Sequence, residues 1–135
     1  MKKILIIDDD RIFAKVLGEA LIQEKFTLVE ATNGVDGLTV FEKERPDFVV
    51  LDMKMPGLDG IGFLKQLREK NENKIPTPIL IVSNFSDLTQ VSEGVSLGIK
   101  GYISKTEKTI ESIVEDIKRI LETEERLRQK TQLGK

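Results

Sequence analysis

The chain has 135 residues, enough for one domain with a real core and too few for two, and no apolar run approaches the roughly 20 residues of a membrane span, so a cytoplasmic protein without membrane insertion is expected. Basic and acidic residues nearly balance, 21 against 23, which leaves no one-sided field of the kind that draws proteins to nucleic acid directly. Cysteine and histidine are both absent, excluding a disulfide framework, thiol chemistry, a Cys- or His-ligated metal and an imidazole base.

Lys3 to Ile7 reads as a first strand ending on Asp8-Asp9-Asp10. Phe13, Val16, Leu17, Ala20 and Leu21 then recur at helical spacing, predicting an amphipathic helix to about Lys25. Phe26 to Glu30 predicts a second strand, Thr32-Asn33-Gly34 a cap, and Val35, Leu38 and Phe41 a second helix that Arg45-Pro46 ends. Phe48-Val49-Val50-Leu51 is an unbroken apolar run that stops on Asp52, as a strand buried on both faces would. Met55-Pro56-Gly57-Leu58-Asp59-Gly60 breaks the chain before a third helix from about Ile61 to Lys70, with Gly57, Asp59 and Gly60 assigned to loop geometry and capping. Pro78 to Val82 predicts a fourth strand with Ser83-Asn84 at its end. A weak helix from Asp87 to Leu97 and a short strand Gly101-Tyr102-Ile103-Ser104 ending at Lys105 follow. Ile110, Ile113, Val114, Ile117, Ile120 and Leu121 form the clearest helical stripe of the chain. Residues 1–121 thus make one domain and 122–135 a charged helical extension, in which Glu122 with Arg126 and Glu124 with Arg128 are spaced to pair.

Strands alternating with helices imply a parallel five-stranded sheet with right-handed crossovers, hence an α/β three-layer sandwich. In the flavodoxin-like order 2-1-3-4-5, the ends of strands one, three, four and five line one crevice. That rim receives Asp8-Asp9-Asp10, Asp52, Ser83 and Lys105. Carboxylates do not crowd together unpaired, and a hard divalent cation such as magnesium, which keeps waters a phosphate can replace, is the natural solution. With the Lys105 charge and the Ser83 hydroxyl this describes a phosphoryl-transfer site whose central carboxylate, Asp52, is the nucleophile. Each residue also has a plainer role, Asp10 as a helix cap, Ser83 in a turn, Tyr102 as an amphipathic residue and Lys105 as a solvated charge. The conjunction carries the argument.

Ile4-Leu5-Ile6-Ile7-Asp8-Asp9, the segment Asp52 to Gly60, Ser83 and Gly101-Tyr102-Ile103-Ser104-Lys105 together resemble the receiver domain of two-component response regulators, of the chemotaxis-regulator type. The resemblance implies a phosphorylation-dependent signalling switch. Asp52 would accept a phosphoryl group from a histidine kinase or phosphotransfer protein and pass the signal to a downstream protein effector, and a phosphorylation-dependent dimer is one state it allows. Magnesium would be held by Asp9, Asp52 and the Lys54 carbonyl, with Asp8 acting through water. Lys105 would pair with the phosphoryl group, Ser83 would move to it, and Tyr102 would change rotamer as the switch. Lys54 and Asn84, beside acceptor and hydroxyl, would tune the lifetime of the acyl phosphate. Such a protein catalyses its own phosphorylation and dephosphorylation and is no conventional turnover enzyme. One departure stands out: Thr106 follows Lys105 where the family usually has proline, commonly in cis, so the Lys105 loop is open to a different path. Three rivals are weaker. A haloacid-dehalogenase-like phosphatase using Asp8 and Asp10 would want Gly-Thr where Arg11-Ile12-Phe13 stands. A pseudo-receiver acting only as a binding module would not need the full acid set and Lys105. A flavodoxin-like cofactor binder would carry a Gly-rich phosphate cradle after strand one in place of three Asp residues.

Overall fold

Consecutive apolar residues leave a strand no wet face, and the middle of this protein is built from such runs. The computed structural model describes residues 1–84 and 88–133 and, for residues 88, 132 and 133, the backbone alone. Its strands are β1 (Lys3–Ile7), β2 (Thr27–Ala31), β3 (Phe48–Leu51), β4 (Ile79–Ser83) and β5 (Gly101–Ser104), and its helices α1 (Arg11–Gln23), α2 (Gly34–Glu44), α3 (Gly60–Glu69), α4 (Leu88–Leu97) and α5 (Ile110–Leu133). All neighbouring strands pair in parallel in the order β2-β1-β3-β4-β5, the expected one. The interior strands β3 and β4 are buried at every residue, while β2 and β5, at the edges, are largely half-buried.

Side chains alternate across the sheet and divide the core in two. Leu5, Ile7, Val49, Leu51, Ile79 and Ile81 face Phe41 of α2 and Phe63, Leu64 and Leu67 of α3. Ile4, Ile6, Phe48, Val50, Leu80 and Val82 face Leu17 and Leu21 of α1 and Ile113 and Ile117 of α5. A slip of one residue in any strand would exchange these sets, so register is fixed by packing.

Helix starts follow their caps. Asp10, Asn33 and Asp59 accept the N–H groups of Phe13, Asp36 and Gly62 and begin α1, α2 and α3. α1 ends at Gln23, short of the expected Lys25, because Lys25 turns left-handed (φ 70°) and the Phe26 N–H folds back onto the Leu21 carbonyl. The expected start of the weak helix at Asp87 lies outside the described residues. α5 continues unbroken past the apolar stripe. There Glu124 reaches Lys100 at 2.8 Å and Glu125 reaches Lys2 at 3.5 Å, so the acids of the extension tie it to the body of the protein as well as to Arg128 along the helix.

Candidate functional site

The ladder delivers the site residues one position beyond the strand ends. The Asp8 N–H donates to the Ala31 carbonyl at 3.1 Å, the Asp52 N–H to that of Ile7 at 2.9 Å, and the Lys105 N–H to that of Ser83 at 2.9 Å. Each is a last rung of the sheet, so three functional backbones are set by strand pairing and not by loop conformation. Beyond Asp52 the loop is pinned by two buried methionines, Met53 and Met55, which leave Lys54 between them exposed.

A crevice of about 350 Å³ opens over these ends, lined by Asp9, Asp10, Asp52, Lys54, Ser83, Asn84 and Lys105. Asp8, only 1% exposed, lies beneath it, and Tyr102 lies outside its lining. Tyr102 packs against the core beneath α2 and α3, and Ser83 shares the sheet face of Ile79 and Ile81 by alternation. Ser83 sits opposite Ser104 in the β4–β5 register and Ile81 opposite Tyr102, so hydroxyl and ring are diagonal neighbours on one face. A crevice of similar size, about 360 Å³, lies at the other end of the strands around Ile75, Pro78 and Lys100. Its only acid, Glu124, is already paired with Lys100, and it offers no comparable chemistry.

Carboxylate oxygens of Asp8, Asp9 and Asp52 lie within 4.8 Å of one another. Lys105, its side chain 7% exposed, places Nζ 2.8 Å from Asp8 Oδ2 and 3.7 Å from Asp10 Oδ2, and 4.3 Å from the centre of the Phe13 ring. The ammonium is thus gripped by two acids and a π face. Its approach to Asp8 Oδ2 makes a buried ion pair. Asp8 Oδ1 accepts the Asp10 N–H at 2.9 Å. Burial pushes the Asp8 carboxyl up to about 6, with the Asp52 charge adding to the rise and Lys105 and the Asp10 N–H opposing it. A carboxylate held against its own burial beside two other carboxylates is what a hard divalent cation relieves, and the donor set fits magnesium.

The structure brings together Asp8, Asp9, Asp52, Ser83, Lys54, Asn84 and Lys105, and keeps Tyr102 one step away on the sheet. Asp10 caps α1 as expected, spending Oδ1 on the Phe13 N–H at 3.1 Å, and its other oxygen turns toward Lys105. That geometry disfavours the phosphatase alternative, since its nucleophile would be the buried Asp8 and its acid the capping Asp10. All described peptide bonds are trans, and after Lys105 a tight turn carries Thr106, whose N–H and hydroxyl both meet Ser104 Oγ, at 3.3 and 2.9 Å. Two contributors were passed over in sequence. Phe13 fits the apolar stripe of α1, which conceals its contact with Lys105. Gly60 has the look of a capping glycine, yet a Cβ there would lie 2.7 Å from the Asp52 carbonyl oxygen.

Comparison with known proteins places the chain in a family. Residues 4–127 match the family described as the response regulator receiver domain. The sporulation initiation phosphotransferase F of Bacillus subtilis is 36% identical over 104 residues, covering 77% of this chain and 82% of that protein. The alkaline phosphatase synthesis transcriptional regulatory protein PhoP of the same organism is 35% identical over 77% of this chain, which spans only 42% of that regulator's length. Among solved structures, the receiver domain of the Francisella response regulator 1452 superposes with a TM-score of 0.80 at 28% identity, covering 91% of this chain and 98% of that one. A CheY-like receiver domain protein from Methanospirillum hungatei reaches 0.85 at 24% identity, covering 93% and 98%, and shows the shared fold.

Proposed function

The chain belongs to the response regulator receiver family of two-component signalling, and from that premise we propose that Asp52 is its phosphoacceptor and that the surrounding residues use the acyl phosphate as a switch. The observation that carries this is the position of Asp52: a buried carboxylate on the central strand's end, its backbone fixed by Ile7, in one crevice with Ser83 and Lys105 and beside two further acids.

A carboxylate oxygen of Asp52 attacks the phosphorus of a phosphohistidine on a histidine kinase or phosphotransfer protein. The new P–O bond forms as the P–N bond breaks, and the electron pair leaves with the imidazole nitrogen, which takes up a proton on the partner. This chain, having no histidine, contributes no imidazole to that step. Magnesium, held by Asp9, Asp52 and the Lys54 carbonyl with Asp8 outside, would supply the positive charge that lets an anionic donor approach three carboxylates. Lys105 turns its ammonium from Asp8 toward the phosphoryl oxygens. Ser83 donates its hydroxyl to the phosphoryl group, and Tyr102, diagonal to it on the same face, moves into the space released. Lys54 and Asn84, exposed at the crevice wall, limit the water that hydrolyses the acyl phosphate. The output is a contact with a downstream protein, in a cytoplasmic setting.

Intact mass after treatment with a small phosphodonor and magnesium tests this. One phosphoryl group on the wild-type chain and none on Asp52→Asn is expected, and an undiminished adduct on the variant would overturn the assignment.

A further inference from the structure

Lys105 is held from one side. Among the described residues its ion pairs are with Asp8 and Asp10, at 2.8 and 3.7 Å, and none is with Asp52. Its ammonium also lies 4.3 Å from the centre of the Phe13 ring. Asp10 and Phe13 stand together at the start of α1 and are joined to each other, because Asp10 Oδ1 accepts the Phe13 N–H at 3.1 Å while Oδ2 turns to the lysine. The Phe13 ring is half-buried and packs against the core between the sheet and helices α1 and α5, on the sheet face opposite Tyr102. The ring thus has a fixed place, and the ammonium comes to it.

Folding the start of α1 does not call for either contact. The cap uses one Asp10 oxygen, and an aliphatic side chain would pack in place of the ring. What the second oxygen and the aromatic face add is attraction for a cation. A ring draws an ammonium within about 6 Å of its centre, and more strongly where water is excluded, as it is around a lysine side chain only 7% exposed. To serve the phosphoryl oxygens on Asp52, the ammonium has to leave Asp10 and lift off the ring. A contact made before a reaction and given up during it slows that reaction.

We propose that Asp10 and Phe13 form a resting seat for Lys105, holding its ammonium on the α1 side of the crevice and so restraining the phosphorylation of Asp52. The proposal rests on the reading that Asp52 takes the phosphoryl group and Lys105 pairs with it. Both are positioning residues, since each acts on the reaction through the lysine.

The test uses the full chain, saturating magnesium and a small phosphodonor, with initial rates taken from intact mass and folding from melts. Wild type must first acquire its phosphoryl group on Asp52; if it does not, the functional reading and this proposal fall together. Phenylalanines carrying one, two and three fluorine atoms are then placed at position 13 alone. Fluorine draws electron density from the ring face with little change in size, so each step weakens the hold on a cation and leaves the packing in place. The rate should rise along the series, to about fivefold with three fluorines. Asp10→Asn keeps the cap, removes the charge and should raise the rate as well. In a Lys105→Met background neither change should alter the rate, because the seat has no occupant. That background separates a seat from the general effect of one acid fewer beside an anionic donor. A rate that stays within about twofold across the fluorine series, a rate that falls along it, or gains that persist in full in the Lys105→Met background would each overturn the proposal while leaving Asp52 as acceptor.

Discussion

At the scale of single residues, the site is a balance between acids that repel and one ammonium that is shared. Asp8 shows it most clearly. Its folded-state pKa, raised by burial from 3.8 to about 6, means that the native chain binds more protons than the unfolded one between those values. Without magnesium, stability should therefore fall as pH rises from about 4 to about 6 and stay lowered above it, the reverse of a carboxylate whose partners outweigh its burial. Asp8→Asn should melt higher than wild type near neutral pH and lose that advantage near pH 4, as thermal melts in chelator across pH would record; a constant difference would show that Asp8 does not carry the shift. Magnesium should erase most of the deficit, and Asp9→Ala should prevent it from doing so. Tyr102 provides a second residue-scale probe, since it is the only tyrosine and there is no tryptophan. Its fluorescence should change when the chain is phosphorylated and change less in Ser83→Ala. An identical Tyr102 environment in phosphorylated and unphosphorylated protein would reject its switch role.

At the scale of elements, the loop from Asp52 to Gly60 does more than connect. It is clamped by buried Met53 and Met55 and returns so closely that the first residue of α3 meets the backbone of the acceptor. A Cβ on Gly60 would lie 2.7 Å from the Asp52 carbonyl oxygen and 2.8 Å from Met53 Cα. Gly60→Ala should cost about 1–3 kcal/mol and slow phosphorylation of Asp52, because backbone has to give way. Gly57→Ala is the control: φ there is +77° but nothing lies within 4 Å, so the cost should be about 1 kcal/mol with the rate unchanged. Equal rates in both variants, measured with melts alongside, would refute the close-approach argument. The sequence made much of this architecture legible. β5 was readable to the residue, and three caps announced themselves as Asp or Asn ahead of an apolar period. What escaped was whatever depends on a distant partner. Glu124 has Arg128 at helical spacing, yet it turns to Lys100, and Phe13 belongs to the α1 stripe while its ring also meets Lys105. Local spacing reports on one element, and neither contact is contained in one.

At the scale of the whole molecule, the order β2-β1-β3-β4-β5 is what turns scattered residues into a site. It sets β1 beside β3, so Asp8 and Asp9 meet Asp52, and it sets β4 beside β5, so Ser83 meets the strand that carries Tyr102 and leads into Lys105. The same order separates the two cores, with Tyr102 packed in the one beneath α2 and α3 and Asp116 at the helix that covers the other. Everything in this account depends on Asp52 as the point of attachment. Reduction of the phosphorylated chain with borohydride converts an aspartyl phosphate to homoserine at the modified position, and peptide mass mapping then reads which residue it was. The account predicts homoserine at position 52 and aspartate retained at 8, 9 and 10; homoserine at any of those three, or at none of the four in a chain shown to carry phosphate, would contradict it.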